Sequence, residues 1–271
     1  GLREGLRLGL LSIVEHGAFS AEQGERWHLR LKMNAESAAE HGMQAVRKMV
    51  KDGAKGRILL LSSGVEKEMR GDKPVMVAKF IRVAKTFLSG AVDPTDARFC
   101  NAQVDANTLT PSDGVGPDGA VVLPTHRGAS LGVVALACAK PGLRVMFSKH
   151  DVNEAFKLVW LALCMIGLFA ASIPRSVVGL GYGQFYVISL VLSFGSAISP
   201  GMFDFFSKGI GQAHSAWSPP HPERDGYYAF SSFVLVDDAV LFGVDEGLAL
   251  WWSAMVCMWV MRSLLGPAAV N

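Results

Sequence analysis

Closely spaced cysteines are missing from this 271-residue chain. Its four cysteines, Cys100, Cys138, Cys164 and Cys257, stand far apart, with no C-x-x-C and no paired histidines at zinc-ligand spacing. That excludes a disulfide scaffold and a zinc finger, and it points to a reducing, intracellular compartment. No basic stretch followed by an apolar one opens the chain, so a secreted protein is not expected. Long apolar runs are lacking too. The two best, at 158–171 and 248–261, fall short of the roughly 20 residues that cross a bilayer. Turn signals at Ile173-Pro174 and Gly266-Pro267 close them, so they read as a buried strand and a buried helix. Charge is scarce, at 18% of residues against 50% hydrophobic ones, which is the balance of a folded chain able to bury one large core or two modest ones.

The charge that is present is uneven. Residues 1–100 hold 17 Lys/Arg against 12 Asp/Glu, whereas the rest holds 9 against 12. The basic half suits phosphate, and it equally suits an ordinary solvated surface. Residues 1–33 show mixed amphipathic character without caps. A helix is expected over about 35–51, with Asn34 as cap and Ala38, Met43, Val46 and Val50 on one face. A short buried strand follows at 57–61, then an alternating apolar and basic stretch at 74–86 with Lys79, Arg82 and Lys85. A loop is expected at 114–119, and a small-residue helix at 125–138 that Pro141-Gly142 breaks. Gly179, Gly181 and Gly183 lack the context of a dinucleotide loop and read as a hairpin turn. His214 and His221 flank a proline-rich loop and read as surface residues.

Two segments concentrate the chemistry. Residues 143–152 mix β-branched, aromatic and polar side chains as a strand does, and end at Asp151; alternation turns His150 to the opposite face. Residues 233–243, FVLVDDAVLFG, place Asp237 and Asp238 between two apolar runs, the pattern of a tight hairpin with acids at its tip. Alone, that pair reads as a plain turn. With Asp151 it becomes a set of three carboxylates, and hard Mg²⁺ takes oxygen ligands. Two such ions would serve an in-line displacement at phosphorus, that is, nucleotidyl transfer. Between the acids, residues 192–206 read as a loop entering a helix, with Gly195 for close backbone approach, Ser199 as N-cap, Pro200 at the first helical position and Asp204 near the positive helix end.

Taken in order, FSKHDVNEAF (147–156), SFGSAISPGMF (193–203) and LVDDAVLFG (235–243) resemble the first, second and third palm motifs of reverse transcriptases. The Phe-Gly pair with a downstream Ser-Pro and Phe is similar to gypsy-type and tyrosine-recombinase-type (DIRS-like) retrotransposon enzymes. Upstream, Arg98-Phe99-Cys100, Asn107 and Thr110-Pro111 resemble the fingers stretch before the first motif, although Ala102 and Val104 stand where the family often has an acid and an arginine. The resemblance covers about residues 98–271. It implies that Asp151 and Asp237 bridge two Mg²⁺ ions, Mn²⁺ being an alternative, with Asp238 completing the site. It also implies that Phe156 is a steric gate against a 2′-hydroxyl, that Arg98 meets the incoming triphosphate, and that Gly195 and Ser199 line the pocket under the templating base pair.

The fold expected from this reading is α/β (α+β), a polymerase right hand with an antiparallel palm sheet, the thumb largely absent. Its parts are an N-terminal segment at 1–33, a fingers-like region at 34–125, a palm-like region at 126–265 with inserted fingers strands near 157–192, and a truncated end at 266–271. Helices at about 200–214 and 245–264 would cover the sheet. The implied partners are an RNA template, a DNA or RNA primer and dNTPs, with no membrane, and thumb and ribonuclease H segments of a polyprotein on either side. A catalytically decayed relic that binds nucleic acid is the alternative, and a small membrane protein a more distant one.

Overall fold

A computed structural model describes residues 40–62, 65, 77–86, 92–102, 115–116, 119–120, 124–161, 169–196, 198–217 and 231–270. The chain is α+β. In chain order its elements are α1 (Gly42–Ala54), β1 (Ile58–Ser62), β2 (Val77–Thr86), β3 (Val92–Ala102), β4 (Val115–Gly116), β5 (Gly119–Ala120), α2 (His126–Ala139) and β6 (Val145–Asp151). A 3₁₀ turn (Ala155–Leu158) and β7 (Ala170–Pro174) follow, then a second 3₁₀ turn (Arg175–Val178), β8 (Gln184–Ser189), α3 (Ile198–Ala216), β9 (Ser231–Leu235), β10 (Asp238–Val244), α4 (Ala249–Leu265) and a last 3₁₀ turn (Pro267–Ala269). They fall into two compact units, residues 1–119 with 159–199, and residues 120–158 with 200–271.

The first unit is built on a five-stranded sheet in the order β1-β8-β7-β2-β3, antiparallel except where β2 meets β7. Period-2 alternation gives each face its own core. Ala171, Ile173 and Val187 pack with Ala45 and Met49 of α1, whereas Ala170, Tyr186 and Ile188 pack with Leu59 and Leu61. The face of α1 only partly matches the one that apolar size suggests: Val46 packs against the core as expected, but Met43 and Val50 are exposed, and Ala45 and Met49 are buried. Small residues allow the close approach. A Cβ on Gly42 would stand 2.8 Å from Val177 Cγ1, so a stripe of Gly42, Ala45 and Met49 fits where a stripe of larger residues would not. Asn34 and Ala38 lie outside the described residues. The strand expected at 57–61 is a half-buried edge strand, β1. The glycines at 179, 181 and 183 all take positive φ where the chain turns from β7 to β8, the conformation that glycine adopts at least cost.

The second unit has a three-stranded antiparallel sheet in the order β6-β10-β9. Helix α2 starts at Thr125 and stops before Pro141-Gly142, as its sequence predicts. The Trp-rich run forms the 17-residue α4, but it is not the buried helix expected: Ser253, Cys257, Val260 and Met261 are buried, whereas Trp251, Trp252 and Trp259 are exposed. Among the described residues no helix is long and apolar enough to cross a membrane. Helix α3 begins at Ile198, so Ser199 lies inside the helix, and its hydroxyl donates to the Ser193 carbonyl at 2.8 Å rather than capping. Asp204 is buried in the second turn and pairs with Lys208 at 2.9 Å instead of facing the helix end.

Candidate active site

Strand alternation sorts β6 into two sets. Ser148 and His150 point one way, Lys149 and Asp151 the other. The first set lies on the covered face: Ser148 Oγ is 2.8 Å from His150 Nε2, and on the neighbouring strand Ala239 and Leu241 are fully buried. Burial holds the His150 imidazole below its ordinary pKa. The second set lies on the face that includes Asp238, because the register sets Asp238 directly opposite Asp151. Residues so paired have Cα atoms about 4.5–5.5 Å apart with side chains on the same face.

The turn that fixes this register is tight. Leu235 pairs with Asp238, leaving Val236 and Asp237 as a two-residue loop. Val236 has φ 54° and Asp237 does not share the positive φ, which is the pattern of a type II′ turn, where glycine is the usual first residue. A β-branched residue there is strained. Two hydrogen bonds hold it. Ser207 Oγ, buried on α3, donates to the Val236 carbonyl at 2.6 Å, and the Val152 N–H donates to the Asp237 carbonyl at 2.8 Å. The turn that carries Asp237 is thus held by a side-chain hydroxyl of α3 and by the backbone N–H just after β6.

A cation already lies among the carboxylates. Lys149 Nζ is 3.0 Å from Asp238 Oδ1. That hydrogen bond and the charge of Asp238 raise the lysine above its usual pKa; desolvation opposes them, and the charges of Asp151 and Asp237 add less. Lys149 was not singled out in the sequence, although it stands two residues before Asp151 and alternation alone sets the two on one face. Among the described residues no three His, Cys, Asp or Glu side chains form a group that could hold a metal ion. The facing donors are Asp151 and Asp238, both accessible to solvent, with Asp237 beside them in the turn. Two carboxylates supplemented by waters and substrate phosphates is a customary Mg²⁺ environment, so this oxygen donor set fits the ion that the family resemblance implies.

Phe156 follows Asp151 on the 3₁₀ turn and is buried against Phe203, edge to face at 5.9 Å between ring centroids. The peptide after Asp151 is anchored as well, since the Asn153 N–H donates to the Ala269 carbonyl at 2.8 Å. Arg98, Gly195 and Ser199 belong to the first unit. Arg98 lies on β3 opposite Val83 of β2, the strand that also carries Lys79 and Lys85. Gly195 is exposed with φ 97°, a backbone shape that other residues rarely take. Ser199 is fully buried.

His214 is not the surface residue that its neighbouring prolines suggest. It is fully buried, with Nδ1 3.1 Å from Ser232 Oγ and Nε2 3.0 Å from Ser253 Oγ and 3.2 Å from the Ser253 carbonyl. Desolvation lowers its pKa, opposed by the Ser253 carbonyl and aided by the charge of His150. The imidazole therefore ties α3, β9 and α4 together behind the sheet, and His221 lies outside the described residues. No protein-family model matches the chain, and no curated protein does.

Proposed function

We propose that the chain is the fingers-and-palm part of a reverse transcriptase, adding dNTPs to a primer 3′ end on an RNA or DNA template. One observation carries the reading: Asp151 at the end of β6 faces Asp238 across the ladder, with Asp237 held beside them in a strained turn. Asp151 and Asp238, more than 80 residues apart in the chain, are paired on one face of the sheet, which a plain surface turn does not require. The resemblance of the three motifs in order supports the same reading and supplies the right-hand architecture, the retroelement context and the nucleic-acid partners.

In this proposal Asp151, Asp237 and Asp238 hold the Mg²⁺ ions. Bound there, the ions supply Lewis acidity to the attacking hydroxyl and charge neutralisation to the departing pyrophosphate. Phe156, locked by Phe203, forms a rigid wall against a ribose 2′-hydroxyl. For Arg98 the family resemblance implies a triphosphate contact, where a planar guanidinium suits phosphate oxygens, and for Gly195 and Ser199 it implies a role at the base pair. Ala102 and Val104, standing where the family often has an acid and an arginine, favour a second reading, a decayed relic that binds nucleic acid without catalysis. Primer extension with Mg²⁺ separates them: the wild-type chain incorporates dNTPs and Asp237→Asn does not. Equal incorporation by both proteins sinks the catalytic assignment, and template binding with no incorporation by either establishes the relic.

A further inference from the structure

Lys149 shares one face of the sheet with Asp151 and Asp238. Lys149 is opposite Val240 and Asp151 opposite Asp238, so the lysine reaches diagonally along the ladder to meet Asp238 at 3.0 Å. Diagonal neighbours on one face lie within reach of long side chains. The pair is accessible, with the lysine 63% and the aspartate 42% exposed. An ion pair in that setting is weak, screened by salt and readily exchanged.

We infer that Lys149 is a tethered counter-ion of the carboxylate site, which steadies Asp238 when no divalent cation is bound and must leave that oxygen when one binds. The inference rests on the polymerase reading and deepens it. At equal distance a doubly charged ion gains twice the attraction that an ammonium gains from each carboxylate, opposed by its stronger hydration, so the ion displaces the lysine once its concentration is high enough. Its cost is a lower cation affinity than the same acids would show alone. Lys149 is thus a positioning residue, acting through Asp238.

Mn²⁺ binding to the intact chain, measured by calorimetry at fixed ionic strength, tests this without any turnover. Lys149→Met, a substitution at an exposed position, is expected to bind Mn²⁺ roughly five- to thirty-fold more tightly than wild type, as removal of one nearby unit charge implies. Lys149→Arg, which keeps the charge, stays within about two-fold of wild type by the same reasoning. Asp238→Asn loses most of the binding. If Lys149→Met binds Mn²⁺ equally or more weakly while Asp238→Asn still loses it, the counter-ion role is overturned and the polymerase reading stands. If Asp238→Asn and wild type do not differ, including the case where neither binds, both fall together.

Discussion

The two faces of the β6-β10-β9 sheet are made of the same three strands, yet they have opposite characters. One face carries Ala239 and Leu241, both fully buried, with Ser232 and His150, and the fully buried His214 reaches Ser232 from α3. The other face carries Lys149, Asp151 and Asp238, all accessible, beyond the ring of Phe242 on which α2 packs so closely that a Cβ on Gly132 would stand 2.9 Å from the ring. A strand cannot choose its neighbours independently on its two faces, because period 2 assigns every second residue to each. The covered face fixes the register, and the register then determines which acids meet on the open one. Structure and site are therefore set by a single alignment.

The largest effects should come from breaking each face separately. Leu241→Ala on the covered face removes a fully buried side chain and is expected to cost about 2–5 kcal/mol of stability in denaturant titration. Asp238→Asn on the open face removes a surface ion pair, for which a cost of about 1 kcal/mol or less is expected. Under the proposed function, the same substitution lowers primer extension on the order of 10³-fold or more. A large stability loss in Asp238→Asn would mean that the open face is a structural surface after all. A negligible loss in Leu241→Ala would mean that the covered face does not set the register.

A smaller effect, confined to a pH window, should come from His214. Its folded-state pKa is depressed by burial, so folding favours the neutral imidazole. The contribution to stability is fully present above the unfolded value of about 6.5. It is lost as pH falls from there through the lower folded value, because the unfolded chain then binds a proton that the folded chain resists. Thermal midpoints of wild type should drop between pH 7.5 and 5 more steeply than those of His214→Gln. Parallel curves would show that the buried imidazole is not linked to stability.

Local chemistry was legible in the sequence and long-range alignment was not. The strand ending at Asp151, the acidic hairpin, the small-residue helix after Thr125 and the Trp-rich helix all follow from neighbours in the chain. Where apolar size is the guide, α1 comes out rotated away from its true face, keeping Val46 but missing Gly42 and Ala45, which pack by being small. His214 was misread through its proline-rich neighbours, although Phe203, Ser207, Ile210 and His214 recur at helical spacing as one buried stripe of α3. The pairing of Asp151 with Asp238 had no local signal, because register depends on a two-residue loop whose conformation valine ordinarily avoids.

That loop gives the smallest and most selective way to separate stability from function. Val236 holds φ 54° in a turn where Ser207 Oγ and the Val152 N–H grip the carbonyls of Val236 and Asp237. Glycine takes this shape without a Cβ clash, so Val236→Gly relieves strain of roughly 1–3 kcal/mol. Against this stands the entropy of the freer unfolded chain, about 0.5–1 kcal/mol, together with some lost side-chain contact. The expected balance is a gain of about 1 kcal/mol, read as a higher denaturation midpoint. Strain retained at a site is commonly the cost of fixed geometry, so incorporation by the variant should fall several-fold while its cation-free stability rises. A variant that is both more stable and fully active would show that the valine contributes nothing to holding Asp237 and Asp238 in place.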